Sequence, residues 1–170
     1  MRLQIIEDTR QQAGKHELKH EKWAAHGDTI YRCALPCGDY ALPSPIHIDT
    51  KANMQEIAQN IGGTAKEHAR FRRELTLAQN LGTKMYVLVE NTDGIRSLAD
   101  VARWQNPRLS DSPKAITGER LARAMATMQE RYGVTFLFCG PEQSAGYIHA
   151  LIEPYAKLLE QYMREAANGE

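Results

Sequence analysis

Two short acidic segments in the first third of the chain have the residue types of a metal-assisted site. Asp39 follows Gly38, and Asp49 lies ten positions further on. Proline cannot donate to a strand ladder, so the prolines between them predict a three-residue turn joining two antiparallel strands, with Leu42 facing Ile46. This register places Asp39 opposite Asp49. Like charges opposite each other destabilise a sheet, so the pair predicts a cation between the two carboxylates.

The alternation of side chains along the second strand supports this interpretation. Alternate residues of a strand share a face, so Ile46, Ile48 and Thr50 should face a core while Asp49 and Lys51 share the other face. Oxygen ligands suit Mg²⁺ or Mn²⁺, and a magnesium site with few carboxylates is typical of proteins that also bind phosphate. The lysine could orient or deprotonate a water molecule, or hold a phosphate. The alternative is an exposed hairpin with solvated charges.

Bulk properties set limits on the partners and the location. The chain has 170 residues, which fits a single domain over residues 1–170, and its 21 acidic and 21 basic residues balance. A nucleic-acid binder of this composition must use a local basic patch. Three cysteines argue against a disulfide framework and for a reducing compartment. No signal peptide or membrane-spanning apolar run is recognisable, so we expect a soluble, cytoplasmic protein.

Periodicity and turn residues divide the chain into alternating strands and helices. Strands are predicted at residues 3–7, 29–34, 85–89 and 134–138, besides the two of the acidic hairpin. Helices are predicted at residues 15–25, 53–61, 64–81, 97–103, 117–131 and 142–167. This alternation predicts an α/β fold with a mixed central β-sheet flanked by helices.

Six of these segments, in this order, carry a resemblance to a known family. They are Ile5–Gln11, Leu35–Tyr40, His47–Lys51, Ile61–Gly63, Arg70–Leu75 and Val87–Glu90. Together they resemble the nuclease domain of the XPF family, structure-specific DNA endonucleases of the PD-(D/E)XK superfamily. The resemblance covers roughly residues 3–91 and implies a restriction-endonuclease-like core, in a stand-alone domain of microbial or phage type.

The resemblance implies a catalytic role for each residue of the acidic hairpin. Asp39, Asp49 and the backbone carbonyl of Thr50 would hold one or two Mg²⁺ or Mn²⁺ ions against the scissile phosphate. Asp8 would complete the metal shell, and Lys51 would position the attacking water. The implied activity is metal-dependent hydrolysis of DNA phosphodiester bonds, on branched or flap DNA.

The chain departs from the family pattern at several acidic positions. Asp49-Thr50 stands where the family has Glu-Arg, and Gln11 and Gln55 stand where it has acids, although Glu56 follows directly. These departures favour an alternative: a catalytically impaired module of the same fold that binds DNA or a partner protein.

A basic helix face is the predicted DNA-binding surface. Lys66, Arg70 and Arg73 recur at helical spacing and share one side of the predicted 64–81 helix. Arg10 is a further candidate for a phosphate contact or a structural salt bridge. The alternative is a solvated face whose charges pair with neighbouring glutamates. The family's tandem helix-hairpin-helix domain has no counterpart in this sequence, so a homodimer or a partner protein could supply further DNA-binding surface.

A second motif predicts different chemistry. His16-Glu17-Leu18-Lys19-His20 matches the H-E-x-x-H pattern of zinc metalloproteases, and His26 falls where a third ligand would lie. Trp23 replaces the glycine that such a third ligand requires. The competing interpretation is a surface helix anchored by Trp23 and Leu18.

Overall fold

The chain forms six strands and six α-helices over the residues that the computed structural model describes, 2–12, 14, 16–42 and 44–168. The strands are β1 (Gln4–Asp8), β2 (Thr29–Cys33), β3 (Tyr40–Leu42), β4 (Ser44–Lys51), β5 (Lys84–Glu90) and β6 (Thr135–Cys139). The helices are α1 (Glu17–His26), α2 (Met54–Gly62), α3 (Ala65–Asn80), α4 (Leu98–Arg103), α5 (Gly118–Tyr132) and α6 (Ser144–Asn168). Every predicted strand and helix has a counterpart.

The strands make one mixed sheet in the order β2-β1-β3-β4-β5-β6. Strand β3 is antiparallel to both of its neighbours, and the other three pairings are parallel. The predicted α/β fold with a mixed central sheet is therefore confirmed. Strands β1, β4 and β5 all run the same way, so their carboxyl ends lie at one edge of the sheet.

The acidic hairpin has the predicted register over most of its length, but the pairing next to the turn differs from the prediction. Tyr40 pairs with Ile48 and Ala41 with His47, as predicted. Leu42 pairs with Ser44 instead of Ile46, and the register shifts between Ala41 and Leu42. The prediction of a three-residue turn is therefore wrong. The irregularity in the ladder lets Leu42 and Ser44 pair with each other, although the predicted turn would have placed Ser44 outside the strands. Pro43 lies outside the described residues.

Two apolar layers cover the two faces of the sheet. On one face, Val87 and Val89 pack with residues of α2, α3 and α5, including Phe71. On the other face, Ile48 and Leu88 pack with residues of α1 and α6. The predicted core orientation of Ile46 and Ile48 is confirmed, whereas Thr50 is only half-buried.

Helix α1 is attached to the sheet more tightly than a surface helix. Trp23 is 2% exposed, and its indole nitrogen donates to the carbonyl of Ala145 at 3.1 Å. The prediction that Leu18 is a second anchor is wrong, since Leu18 is 53% exposed. The buried Lys19 takes its place by donating to Glu90 at the end of β5 over 2.5 Å. The predicted start at Lys15 lies outside the described residues.

The final helix buries its first half. Ala145, Ile148 and Ile152 belong to the core, and Tyr155 packs against it. The apolar face of α6 is therefore core packing over this stretch. Among the described residues, no helix has the length and apolar character needed to cross a membrane.

The three cysteines differ in exposure. Cys33 is exposed on the edge strand β2, whereas Cys37 and Cys139 are buried. Burial raises the pKa of each of the two buried thiols to about 11, so almost no thiolate forms there at neutral pH.

We expect one of the three thiols to react quickly with Ellman's reagent in the folded protein at pH 8. Cys33 presents its thiol to solvent, while Cys37 and Cys139 react only after unfolding. Absorbance at 412 nm with and without denaturant measures both populations. The variant Cys33→Ser should lose the fast phase, and a fast phase that survived this change would contradict the assignment.

Candidate active site

A cleft of about 520 Å³ opens at the edge of the sheet where β1, β4 and β5 end. Asp8 closes β1, Asp49 and Lys51 lie at the carboxyl end of β4, and Glu90 closes β5. Asp39 reaches the same edge because it directly precedes the antiparallel β3. The fold thus brings together all four residues predicted to be catalytic.

Asp39 is held by three donors from two segments of the chain. One carboxylate oxygen accepts from the backbone N–H and the hydroxyl of Thr50, at 2.6 and 2.5 Å. The other accepts from the side-chain amide of Gln11. Burial raises the pKa of Asp39, and the two hydrogen bonds from Thr50 oppose that rise. The carboxylate is therefore fixed in direction and partly desolvated.

Asp49 and Lys51 form a buried pair beside it. The ammonium of Lys51 donates to Asp49 Oδ1 at 2.8 Å, and Oδ2 lies 2.6 Å from the same nitrogen but receives no aligned hydrogen bond. Burial raises the pKa of Asp49, with the charge of Lys51 opposing the rise. Burial lowers the pKa of Lys51, but Asp49 and the carboxylates around it outweigh this, so the net shift is upward and the lysine stays protonated.

Asp8 is engaged by Arg10 rather than turned toward Asp49. The Arg10 side chain donates to one carboxylate oxygen of Asp8 at 2.8 Å, and its backbone N–H donates to the other at 2.8 Å. Burial raises the pKa of Asp8, but these hydrogen bonds outweigh it and hold the pKa below its usual value. Arg10 therefore has the structural salt bridge that was one of its two predicted roles.

Helix α3 forms the outer wall of the cleft. One face of this helix lines the cleft with four residues at helical spacing: Arg70, Arg73, Glu74 and Leu77. Both arginines are exposed, and neither side chain has a hydrogen bond or ion pair among the described residues. Lys66 is exposed on the same helix but lies outside the cleft lining.

The glutamates near these arginines have other partners, contrary to the alternative of a self-paired helix face. Glu67 completes a capping box with Thr64 at the start of α3. Glu74 accepts the backbone N–H of Gly38 at 3.0 Å. The arginines therefore remain available to a ligand, and Glu74 supports the turn that carries Asp39. Its role was not predictable, because it lies 35 positions from Asp39 in the sequence.

Two departures from the family pattern have a physical explanation in this cleft. Gln11 can donate to Asp39, which an ionised glutamate could not do. Glu56 lines the cleft and accepts from the backbone of Ala52 at 2.8 Å, whereas Gln55 does not line it. An acid therefore remains near the end of β4, one position later in the chain.

The oxygen ligands of the hairpin fit a hard divalent cation. Burial is the main cause that raises the pKa of Asp49, and the nearby charge of Asp39 raises it further. Asp49 Oδ2 is a buried oxygen without an aligned donor. Thr50, whose backbone carbonyl is the third proposed ligand, directly follows Asp49 in the sequence. Magnesium and manganese favour such oxygen ligands. A cation bound by Asp49 would compete with Lys51 for this carboxylate.

The histidines of the zinc-protease pattern do not converge. His16 is the residue that precedes α1, and its Nε2 lies 2.6 Å from the Gln11 side chain. His20 Nε2 lies 2.9 Å from Glu7. His26 belongs to a separate group of side chains. The geometry of the described residues therefore does not support the zinc-protease alternative.

Comparison with known proteins identifies the fold. No protein-family model and no curated protein matches the sequence. A solved structure of XPF from Aeropyrum pernix superimposes with a TM-score of 0.63 at 18% identity, over 95% of this chain and 69% of that one. A structure of the same protein in complex with DNA gives 0.60 at 18% identity, over 91% and 65%. The chain has the restriction-endonuclease-like fold of these XPF structures.

Gly38 is a point at which the geometry of this site can be tested. Its φ is +71°, and a Cβ there would lie 3.1 Å from the carbonyl oxygen of Ile48. Gly82 has a similar φ of +65° with open space around it. We expect Gly82→Ala to cost about 1–2 kcal/mol for the left-handed backbone, and Gly38→Ala to cost more because of the added contact.

Urea unfolding of the two alanine variants measures this difference. Gly82→Ala is the matched control, since it carries the same backbone penalty without the steric contact. Equal losses of unfolding free energy in the two variants would contradict the close approach of Gly38 to β4.

Proposed function

We propose that this chain is a divalent-metal-dependent nuclease that hydrolyses DNA phosphodiester bonds, with residues 1–170 acting as one nuclease domain. The observation that carries the proposal is the convergence of Asp39, Asp49 and Lys51 in a cleft whose outer wall presents two arginines without partners among the described residues. The likeness to XPF structures, one of them in complex with DNA, supports it at the level of the fold.

The proposed chemistry assigns distinct roles to the side chains of the cleft. Asp39, Asp49 and the carbonyl of Thr50 would hold Mg²⁺ or Mn²⁺, which lowers the pKa of a bound water and offsets charge on the phosphate. Gln11 and Thr50 keep the Asp39 carboxylate in one orientation. Lys51, released from Asp49, would position the attacking water or contact the phosphate.

Asp8 has a supporting role in this proposal. Both of its oxygens accept hydrogen bonds from Arg10, so it acts as a direct metal ligand only if these hydrogen bonds open. Its backbone N–H donates to the carbonyl of Asp39 at 2.8 Å, which already positions the neighbouring ligand.

The DNA backbone would approach over α3. Arg70 and Arg73 would contact phosphates next to the cleft, and Lys66 would extend the contact along the helix. Such contacts position DNA without reading its sequence. They suit a preference for branched or flap DNA, for which a second copy of the chain or a partner protein would supply further binding surface.

One observation favours the alternative of a catalytically impaired binding module. Asp49 is already neutralised by Lys51 and buried, so a metal ion must displace an ion pair to bind there. Metal-dependent cleavage distinguishes the two proposals.

We expect cleavage of labelled branched DNA with Mg²⁺ or Mn²⁺, and a loss of at least about 100-fold in Asp39→Asn and in Lys51→Met. Each change removes charge from the proposed centre while keeping the size of the side chain. Gel-resolved cleavage of branched, nicked and single-stranded substrates measures the rate and the preferred DNA structure.

The controls for this experiment are Asp111→Asn and Lys114→Met, which make the same chemical changes at exposed positions outside the cleft. Both should cleave like the wild type. If the folded wild type cuts no substrate with either metal but binds DNA, the binding module is the correct function.

The arginines of α3 give a prediction that does not depend on catalysis. In an Asp39→Asn background, Arg70→Gln with Arg73→Gln should weaken duplex DNA binding. The negative slope of log K against log salt concentration should also become less steep, by about 0.9 for each phosphate that the protein no longer neutralises. Fluorescence anisotropy at several salt concentrations measures the slope.

The matched control removes two arginines from α5 by Arg120→Gln with Arg123→Gln. Arg123 is 71% exposed and lies 3.4 Å from Glu119, away from the cleft lining. Its salt slope should equal that of the parent. If the slope becomes less steep by the same amount in both double variants, the effect is one of overall charge and not of an α3 interface.

A further inference from the structure

A second group of side chains with metal-binding chemistry lies at the opposite end of the sheet from the cleft. It consists of His26 in the last turn of α1, Asp28 just before β2, and His149 in α6. Among the described residues, this is the one set of His, Cys, Asp or Glu whose ligand atoms all lie within 4.8 Å of one another. None of the three lines the cleft.

The separations within this group suit a four-coordinate metal ion. His26 Nδ1 lies 3.1 Å from one oxygen of Asp28, and His149 Nε2 lies 3.4 Å from the other. The two imidazole rings are 4.4 Å apart between centroids. Ligand atoms bound tetrahedrally to zinc are about 3.3 Å apart, given bonds of about 2.0–2.1 Å. Small rotations of the side chains are therefore enough to bind an ion.

Burial provides an independent reason to expect a ligand. The Asp28 side chain is fully buried, with one oxygen accepting from the backbone N–H of Leu3 at 2.8 Å. Its other oxygen and His149 Nε2 are both buried without an aligned hydrogen-bond partner. Leaving a buried polar atom without a hydrogen bond is costly, and a cation between these two atoms would satisfy both at once.

We infer that His26, Asp28 and His149 bind one Zn²⁺ ion, separately from the proposed nuclease site. Two imidazole nitrogens and one carboxylate favour zinc over the magnesium that all-oxygen sites select. The His26 side chain is 49% exposed, so the group is open to solvent and a water molecule could supply a fourth ligand. The ion would link the end of α1 and the start of β2 to α6.

The test is titration of metal-free wild-type protein with Zn²⁺ by calorimetry and with Co²⁺ by visible absorption. We expect one equivalent of each metal and a higher melting temperature with Zn²⁺. Asp28→Asn and His149→Gln should each weaken binding by more than about 100-fold, since loss of a ligand's supporting partner alone costs roughly 10- to 100-fold. Asp28→Asn keeps an oxygen for the N–H of Leu3, and circular dichroism establishes that each variant is folded.

Two double variants test whether zinc binds elsewhere. His16→Gln with His20→Gln removes the pair of the protease-like motif, and Asp39→Asn with Asp49→Asn removes the carboxylates of the cleft. Both should still bind one equivalent. The inference is overturned if the wild type binds no zinc, or if either double variant loses the ion while Asp28→Asn and His149→Gln retain it. Because the readout is metal binding, failure of the nuclease proposal leaves this result unaffected.

Discussion

The arrangement of the cleft depends on two backbone hydrogen bonds that hold Asp39 between neighbouring strands. The carbonyl of Asp39 accepts from the N–H of Asp8 at 2.8 Å, and its own N–H donates to the carbonyl of Ile48 at 2.7 Å. These bonds tie the turn before β3 to the end of β1 on one side and to β4 on the other. The positive φ of Gly38 allows the turn to approach β4 this closely. The hydrogen bonds from Thr50 and Gln11 to the Asp39 carboxylate depend on this position.

Polar groups around the centre are matched in pairs, so that little charge is left uncompensated inside the protein. Lys51 is paired with Asp49, Arg10 with Asp8, and Lys19 with Glu90. A chain with no net charge can therefore carry many ionised groups in one cleft. Two places depart from this pairing among the described residues: Asp39 is held by the neutral donors Thr50 and Gln11, and Arg70 and Arg73 on the outer wall have no partner. Unpaired positive charge on the outer wall would attract an anionic ligand.

Sequence patterns predicted the elements and the acidic hairpin well because both depend on neighbours in the chain. The pairing of Tyr40 with Ile48 follows from proline positions and strand alternation. Three features were not predictable, since each depends on residues that only the tertiary fold brings together. They are the hydrogen bond from Gly38 to Glu74, the burial of Lys19 against Glu90, and the group of side chains around Asp28. The sequence pattern groups His26 with His16 and His20 as possible metal ligands, but packing of α1 against α6 brings it to His149 instead.

The parallel pairing of β4 with β5 has a consequence for how the protein folds. The hairpin of β3 and β4 closes over a few residues, but β5 can join β4 only after α2 and α3 have crossed over the sheet. Closing such a long connection is slow compared with forming a local hairpin. The carboxylates of the hairpin therefore come together early, whereas the arginine wall of α3 and the Lys19–Glu90 pair are added late. The cleft that we propose as the DNA-binding site would therefore be complete in a nascent chain only after this last assembly step.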